Sequence, residues 1–416
     1  MRSLDVACGA AFLTSFLLAG CASNGETPGA AWLAWATLRS LAGSPPKPPD
    51  LYEEPVRVTD ALEFAEITAG GEHTCALTVD GETYCWGSNR DDQLGNASIT
   101  ETCGEGAGAY PCSSSPVRVP DMPRFKSIVA MRSGTCGLDE SGAVHCWGGG
   151  FGGRDEAGFR TSSAAPIRVP GEHVFASLAS SSSSDGAAYG LTAEGRVWCW
   201  RLSDAPGSAL TEPELVPTGV TFTAIGFGGV HGCGIDDARH AYCWGNDMYG
   251  SLGIGSSGHD GGVRESATPV PVQGALEVVE IGAAGGHTCA LTAQGDVHCW
   301  GLAFPVHSSS SPLRLSGHSL PHGAVPVLVD FGGVKLSTLA TADLQTCGLT
   351  AEGAAHCIRA TPQQRSEAIR IESDQPFVKI AVGSGHACAI GADGFAYCWG
   401  EGESGQVGRV PSGRRW

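Results

Sequence analysis

The sequence predicts an all-β fold assembled from seven copies of one short unit, each with the composition of a propeller blade. Cysteines recur in pairs ten residues apart, in segments that begin with His-Thr-Cys and end with Cys-Trp-Gly in the clearest copies, residues 71–87 and 285–301. Two more apolar segments precede most hairpins. Self-similarity of this kind is the signature of a repeat architecture.

Each copy has the pattern of a β-hairpin joined to two further strands. In the first copy, residues 73–77 alternate with the period of a strand, Asp80-Gly81 is a turn signal, and residues 83–86 are rich in β-forming side chains. The apolar segments at residues 55–58 and 64–69 precede this hairpin. About four short strands per repeat is the content of one propeller blade.

The cysteine spacing predicts disulfides within the hairpins. The turn lies midway between Cys75 and Cys85, so the two are expected to oppose each other, where Cα atoms lie roughly 4.5 Å apart, at the short end of disulfide geometry. The six expected hairpin pairs are Cys75–Cys85, Cys136–Cys146, Cys233–Cys243, Cys289–Cys299, Cys347–Cys357 and Cys388–Cys398.

The other cysteines lie outside this pattern. Cys103 and Cys112 share one Gly-rich loop and are expected to form a seventh bridge. Cys199 lies in the copy that has Tyr189 in place of the first cysteine, and the sequence predicts it to be unpaired. With 17 cysteines in all, such a framework favours an oxidising compartment.

The N-terminus indicates export and lipid attachment. A short apolar stretch, residues 10–18, ends in Leu-Ala-Gly-Cys at Cys21, which resembles a bacterial lipobox and is too short for a membrane-spanning anchor. We therefore expect a signal peptide over residues 1–20, lipidation of Cys21, a Pro-rich tether over residues 21–50 and one propeller domain over residues 51–416. An ordinary secretory signal is the alternative.

The motif Gly-x-x-His-Thr-Cys-Ala-Leu-Thr-x-x-Gly-x-x-Tyr-Cys-Trp-Gly-x-Asn, with tails at residues 92–95, 250–253 and 405–408, resembles the regulator of chromosome condensation repeat. The resemblance covers residue 51 to the end and implies a closed, seven-bladed β-propeller. The third copy departs at Tyr189 and the sixth lacks Trp-Gly after Cys357, so those two blades are expected to be the least regular. Residues 51–58 are expected to pair with the last hairpin and close the ring.

Charge and motifs exclude several functions. The net charge of −18 and the absence of a basic stripe argue against nucleic-acid binding. No Walker loop, nucleophile elbow or metalloprotease helix is found, so no enzyme and no cofactor are expected. His73-x-Cys75 and similar pairs could suggest zinc, but these ligands recur once per blade around a ring, so a structural histidine beside a disulfide is preferred. Exchange of guanine nucleotide, the activity associated with the family name, is not expected of an exported protein.

The long connections favour an interaction module. Residues 87–115 and 245–268 are the longest and occupy the same place in their repeats, so they should emerge on one face, where insertions often mark a binding surface. Tyr110, Met248 and Tyr249 are the candidate partner-binding residues, and packing within their own blades is the competing role for each. We therefore expect a lipid-anchored envelope protein that binds an unidentified envelope or extracellular protein partner. The alternative is an exported enzyme or a carbohydrate-binding propeller.

Overall fold

The computed structural model describes residues 54–154, 160–180, 187–201, 210–258, 262, 265–302, 313–315, 318–320, 322–359 and 368–408. The expectations for the signal peptide, Cys21 and the tether lie outside the described residues. Over these residues the chain forms seven antiparallel sheets, one per repeat, plus one small hairpin. The predicted all-β, seven-bladed propeller with about four strands per blade is confirmed.

The first three blades have these strands. Blade 1 contains β2 (Phe64–Ala69), β3 (His73–Thr78), β4 (Thr83–Ser88) and β6 (Tyr110–Arg118), with the short strand β5 (Thr102–Cys103) added beside β6 and a 3₁₀ turn at Gly106–Gly108. Blade 2 contains β7 (Phe125–Ala130), β8 (Gly134–Asp139), β9 (Val144–Arg154) and β10 (Arg160–Arg168). Blade 3 contains β11 (Ser177–Ser180), β12 (Ala188–Leu191), β13 (Val197–Trp200) and β14 (Glu214–Leu215).

The next three blades follow in chain order. Blade 4 contains β15 (Ala224–Phe227), β16 (His231–Ile235), β17 (Ala241–Asn246) and β18 (Glu265–Pro271). Blade 5 contains β19 (Val278–Ala283), β20 (His287–Thr292), β21 (Val297–Leu302) and β24 (His322–Val329), with the hairpin β22 (Leu313–Leu315) and β23 (His318–Leu320) inserted before β24. Blade 6 contains β25 (Thr338–Ala342), β26 (Gln345–Leu349), β27 (Ala355–Arg359) and β28 (Ile369–Ile371).

Blade 7 joins the two ends of the described chain. It contains β29 (Phe377–Val382), β30 (His386–Gly391) and β31 (Ala396–Gly400), and its fourth strand is β1 (Val56–Arg57) from the start of the domain. Val56 lies opposite Cys398, and the Arg57 guanidinium lies over the Phe395 ring, 3.4 Å from its centroid. The expected ring closure is confirmed for the described part of residues 51–58. It leaves β31 without an open edge.

The disulfides follow the predicted pairing. In each of the six hairpins the two cysteines are directly opposed, as for Cys75 and Cys85, and their Cα atoms are 4.0–4.1 Å apart. Cys103 and Cys112 also bond, with a Cα–Cα distance of 5.7 Å. The six hairpin bridges fasten the middle two strands of every blade except blade 3, and the seventh fastens the long connection of blade 1.

The prediction that Cys199 is unpaired is wrong, because Cys199 is disulfide-bonded. Sequence spacing could find only the pairs that recur within a repeat. Within its own hairpin Cys199 lies opposite Tyr189, whose ring stacks on Phe227 of blade 4 at 3.5 Å.

The expectation that blades 3 and 6 are the least regular is wrong for their strand pairing. Each has four strands and no register shift, whereas blades 1, 2, 4 and 5 contain a β-bulge between the third and fourth strands. In blade 1 this bulge lies between Cys85 and Gly87, and Gly87 has φ +105°. Blades 3 and 6 have Arg201 and Arg359 at that place, and the registered pairs of their described fourth strands end at the cysteine.

The hydrophobic core is divided among the contacts between neighbouring blades. One cluster joins Leu77 and Leu94 of blade 1 to Phe125 and Trp147 of blade 2, and six similar clusters repeat around the ring. The tryptophan that recurs in six of the blades is almost fully buried, as in Trp86 and Trp300. Stability therefore depends on the seams between blades as well as on the blades themselves.

Candidate interaction face

One face of the ring carries the connections between first and second strands and between third and fourth strands, because these emerge at the same end of an antiparallel blade. We call this the loop face. The hydroxyl of Ser404, beyond the third strand of blade 7, lies 2.7 Å from Tyr110 Oη and donates to Glu72 Oε2 at 3.4 Å. Glu72 lies between the first two strands of blade 1, so both types of connection meet on this face.

In blades 1, 4 and 7, the connection between third and fourth strands is held by a clamp from the next blade, shortly after the third strand ends. Trp147 Nε1 of blade 2 donates to the Gln93 carbonyl of blade 1 at 3.1 Å, and Trp86 Nε1 of blade 1 donates to the Gln406 carbonyl of blade 7 at 2.9 Å. Trp300 Nε1 of blade 5 similarly donates to the Ser251 carbonyl of blade 4 at 2.8 Å. These bonds satisfy the buried indoles and fix where each loop begins to cross the face.

A second element of each clamp is a buried threonine. Thr135 of blade 2 donates to the Gln93 carbonyl at 3.4 Å, and its Oγ1 lies 2.9 Å from His73 Nε2 and 3.7 Å from Cys75 Sγ, both in blade 1. The same arrangement recurs around Thr74 and Thr288. The His-Thr-Cys string is evident from the sequence, but the role of its threonine in joining neighbouring blades is not.

The buried histidines of these clamps are neutral. Burial lowers the pKa of His73 and of His231 to about 3, and the nearby imidazoles of His386 and His287, respectively, lower them further. Burial also lowers the pKa of His287 and of His386 to about 4, although backbone hydrogen bonds act in the opposite direction. Within the part of the chain that the structure describes, no three His, Cys, Asp or Glu side chains are grouped to hold a metal ion.

Tyr110 lies where blades 1 and 7 meet on the loop face. Its ring is half-buried beneath the Arg90 guanidinium, which lies 3.9 Å from the ring centroid, and its hydroxyl contacts Ser404. Tyr110 therefore anchors the disulfide-closed connection to blade 7 and presents only part of its surface. Arg90 and Ser404 were not identified from the sequence, because neither belongs to a motif and both are placed by the fold.

Met248 and Tyr249 lie in the equivalent connection of blade 4. Both are half-buried, and the Met248 N–H donates to Asn246 Oδ1 at 2.8 Å. Burial raises the pKa of Tyr249, and its ring passes 3.4 Å from where a Cβ on Gly286 of blade 5 would stand. The candidate residues therefore do not form one patch, since Tyr110 lies on blade 1 and the other two lie on blade 4.

The loop face is acidic near the junction of blades 7 and 1. Asp91, Glu101 and Glu105 are exposed in the blade 1 connection and Glu403 is exposed in that of blade 7, together with Arg90 of blade 1. The pKa of Asp91 is raised, first by partial burial and then by Asp92, although Arg90 acts to lower it. The surface at this junction is suited to a positively charged partner.

The opposite face carries a shallow hollow on blade 3 with a volume of 360 Å³. Trp198, His173, Glu172, Glu194 and Arg196 are among the residues that line it. The His173 and Trp198 rings lie 4.1 Å apart at 44°. An indole beside carboxylates and a guanidinium can contact the apolar face of a sugar and hydrogen-bond its hydroxyls.

Comparison with known proteins gives the family. Models of the "Regulator of chromosome condensation (RCC1) repeat" match residues 64–93, 377–406 and 240–291. The chain is 24% identical over 365 residues to the Ultraviolet-B receptor UVR8 of Arabidopsis thaliana, covering 82% of this chain and 78% of that protein. It is 28% identical over 260 residues to the mitochondrial RCC1 domain-containing protein RUG3 of the same plant, covering 57% of this chain and about half (53%) of that protein.

The solved structures agree on the fold. Yeast RCC1 (Prp20), in its complex with Kap60, superposes with a TM-score of 0.62 at 17% identity, covering 82% of each chain. Human WBSCR16 gives a TM-score of 0.61 at 15% identity, covering 83% of this chain and 88% of that one. With the repeats in register and the ring closed through β1, the chain carries regulator of chromosome condensation repeats and forms a seven-bladed β-propeller.

Proposed function

We propose that this propeller is a protein-interaction module of the cell envelope that binds its partner with the loop face. The observation that carries the proposal is the blade 1 connection, which is long, closed by Cys103–Cys112 and tied to blade 7 through Tyr110 and Ser404. A connection held in this way loses little conformational entropy on binding. We infer a partner with a basic surface, because the exposed charged side chains of the blade 1 connection, Arg90 apart, are acidic.

The experiment shortens the loop between Glu101 and Ser114 and measures capture of an envelope partner. The shortened protein should still fold, with a lowered melting temperature because Cys103–Cys112 is lost, since the clamps at Gln93 and Trp147 lie outside the excised segment. It should lose the capture seen with the intact chain. The matched control is Glu140→Ala, at an exposed turn of blade 2 on the opposite face. Undiminished capture by the shortened protein would reject the loop face.

We also propose that the protein is exported and lipid-anchored at Cys21. The seven disulfides support this, because such frameworks persist in oxidising compartments. Metabolic labelling with a fatty acid should mark the wild type and not Cys21→Ser. Non-reducing peptide mapping gives an independent readout, since a lipid thioether on Cys21 excludes a disulfide from Cys21 to Cys199. A Cys21–Cys199 bond in protein isolated from the membrane would contradict the lipid anchor.

The second candidate function is carbohydrate binding at the hollow on blade 3, which the Trp198 and His173 rings favour. Retention of the pure protein on an immobilised envelope polysaccharide, lost in Trp198→Ala and kept in the loop-shortened protein, would support it.

Guanine nucleotide exchange is not proposed, because an exported protein would not meet a cytoplasmic GTPase. Among the described residues, no helix is long and apolar enough to cross a bilayer.

A further inference from the structure

Asp247 opens the loop-face connection of blade 4, at the place that Asn89 occupies in blade 1. Each side chain accepts a hydrogen bond through Oδ1 from the backbone N–H five residues later. The N···O distance is 2.8 Å from Leu252 to Asp247 and 3.0 Å from Leu94 to Asn89. The chain therefore contains two versions of one turn, one with a carboxyl group and one with a neutral amide.

The carboxyl version leaves one oxygen unsatisfied. Asp247 has no exposed surface, and its Oδ2 is buried without a hydrogen-bond partner. Its main chain is held in the turn, because its carbonyl accepts from the Gly250 and Gly258 N–H groups at 3.1 and 2.9 Å. A buried, ionised carboxylate with one oxygen that lacks a donor is costly, whereas the protonated acid is neutral. Burial accordingly raises the pKa of Asp247 to about 7, although the Leu252 hydrogen bond acts in the opposite direction.

Among the described residues around Asp247, no positively charged side chain compensates for the charge of its ionised carboxylate. The buried imidazole of His231 lies on β16, opposite Gly245, and that of His287 lies on β20 of blade 5. Both have lowered pKa values and are neutral near pH 7. Glu265 on β18 lies opposite Asn246 and is itself acidic. Tyr249 is uncharged at this pH. The other ionisable groups of the connection, His259, Asp260 and Arg264, lie outside the described residues.

We propose that Asp247 is a pH-dependent lock on the blade 4 part of the loop face: when protonated it holds residues 247–258 closed, and when ionised it releases them. The connection carries Met248 and Tyr249, so release changes the surface offered to a partner. This regulation rests on the proposed function of the loop face. Capture of the basic partner then weakens as the pH rises towards 7.

The sign follows from the two states of the loop. In the closed loop the pKa of Asp247 is about 7, and in an open, solvated loop it returns to the ordinary value of 3.8. The closed loop therefore binds the extra proton between these values. The ratio of closed to open loop falls by up to tenfold per pH unit across this window and is constant above it. From pH 5 to pH 7 the fall is up to about 100-fold.

Hydrogen exchange of the Leu252 amide tests the lock without any partner. In the full-length protein, protection of this amide, corrected for intrinsic exchange, should fall by up to about 100-fold between pH 5 and pH 7. It should be independent of pH in Asp247→Asn. The matched control is Asn89→Asp, which should give the Leu94 amide a new pH dependence. Equal protection of Leu252 at both pH values in the wild type would overturn the proposal, as would a pH dependence that persists in Asp247→Asn.

Partner capture distinguishes the Asp247 lock from the proposed loop-face function on which it rests. If the lock and the loop-face function both hold, capture falls from pH 5 to pH 7 in the wild type and stays level in Asp247→Asn. If Leu252 protection changes with pH but capture does not, the lock stands and blade 4 is removed from the binding face. If capture changes with pH equally in both proteins while Leu252 protection does not change, the lock is overturned and the loop-face function is unaffected.

Discussion

His73 Nε2 of blade 1 and Thr135 Oγ1 of blade 2 lie 2.9 Å apart in a contact with no exposed surface. Equivalent pairs join His386 to Thr74 and His231 to Thr288. Backbone hydrogen bonds also cross these seams, as from the Gly71 N–H to the Arg132 carbonyl at 3.0 Å, and the buried side-chain hydrogen bond adds to them. Burial disfavours the charged imidazolium of these histidines, so the seams are sensitive to acid.

We expect the propeller to lose stability below about pH 6.5. The pKa values of His73, His231, His287 and His386 are about 3 to 4 in the folded protein, against an ordinary value of 6.5 in the unfolded chain. The stability that these neutral histidines give the folded protein is therefore fully present above pH 6.5 and is lost as the pH falls. Asp247 and Glu280, with pKa values raised to about 7, act in the opposite direction. The net difference of two protons gives a slope of up to about 3 kcal/mol per pH unit.

Urea unfolding at pH 5.0, 6.0 and 7.0 measures this slope. His73→Gln keeps a side-chain donor for Thr135. It should reduce the change in the free energy of unfolding per pH unit by the contribution of one titrating group. The exposed Val79, on a turn of blade 1, supplies the non-titrating control Val79→Ala, which should keep the wild-type slope. A stability that is the same at pH 5 and pH 7 would show that the buried histidines are not linked to folding.

Gly70 should not tolerate a side chain. A Cβ at this position would overlap the His73 ring and the Met131 carbonyl of blade 2, so the Gly70→Ala variant must displace the seam. We expect a loss of about 2–4 kcal/mol in the free energy of unfolding, as for other overpacked or buried-network changes. Gly108→Ala is the control, since nothing lies within 4 Å of its added Cβ. Equal unfolding midpoints for the two variants would contradict the close packing at Gly70.

Much of this fold could be predicted from residue spacing. Cys75 and Cys85 are ten apart around a turn, and local geometry alone places them opposite each other. The contacts between blades were not predictable in this way. Gly134 stands where several other blades have a histidine, and the Phe151 ring packs beside it. Gly232 stands where several other blades have a threonine, and the Phe227 ring packs beside it. These substitutions are compensated by three-dimensional neighbours and leave no pattern along the chain.

The candidate site was only partly predictable. The length of the connections identified the loop face, and Tyr110 was found as an aromatic residue within one of them. Its partners Arg90 and Ser404 are 20 and 294 residues away along the chain, so no local motif relates them. Asp247 was missed because an aspartate in a Gly-rich turn is ordinary in sequence. Only its complete burial makes it unusual.

The hairpin disulfide Cys75–Cys85 and the loop disulfide Cys103–Cys112 should contribute differently to the free energy of unfolding. Replacing Cys75 and Cys85 by alanine removes a bridge over ten residues, worth about 3 kcal/mol in the chain-entropy estimate, and opens space beside Thr135 in the core. Replacing Cys103 and Cys112 opens a loop of similar size, so the entropic loss should be alike. We therefore expect the hairpin variant to lose more stability than the loop variant. Equal losses in urea unfolding would indicate that the core contact with Thr135 contributes nothing.

Removal of residues 51–58 should open the ring. The deletion removes the pairing of Val56 and Arg57 with β31, the hydrogen bond from the Val58 N–H to the Ala396 carbonyl at 2.9 Å, and the packing of Val58 beside Trp86. We expect the melting temperature to fall by at least about 5 °C, since each kcal/mol shifts it by a few degrees. A synthetic peptide of residues 51–58 should restore part of the loss as its concentration rises, because it binds only the folded ring. Deletion of residues 24–50, which keeps Cys21, is the control and should leave the melting temperature unchanged. If the 51–58 deletion also leaves it unchanged, β1 does not hold the ring closed.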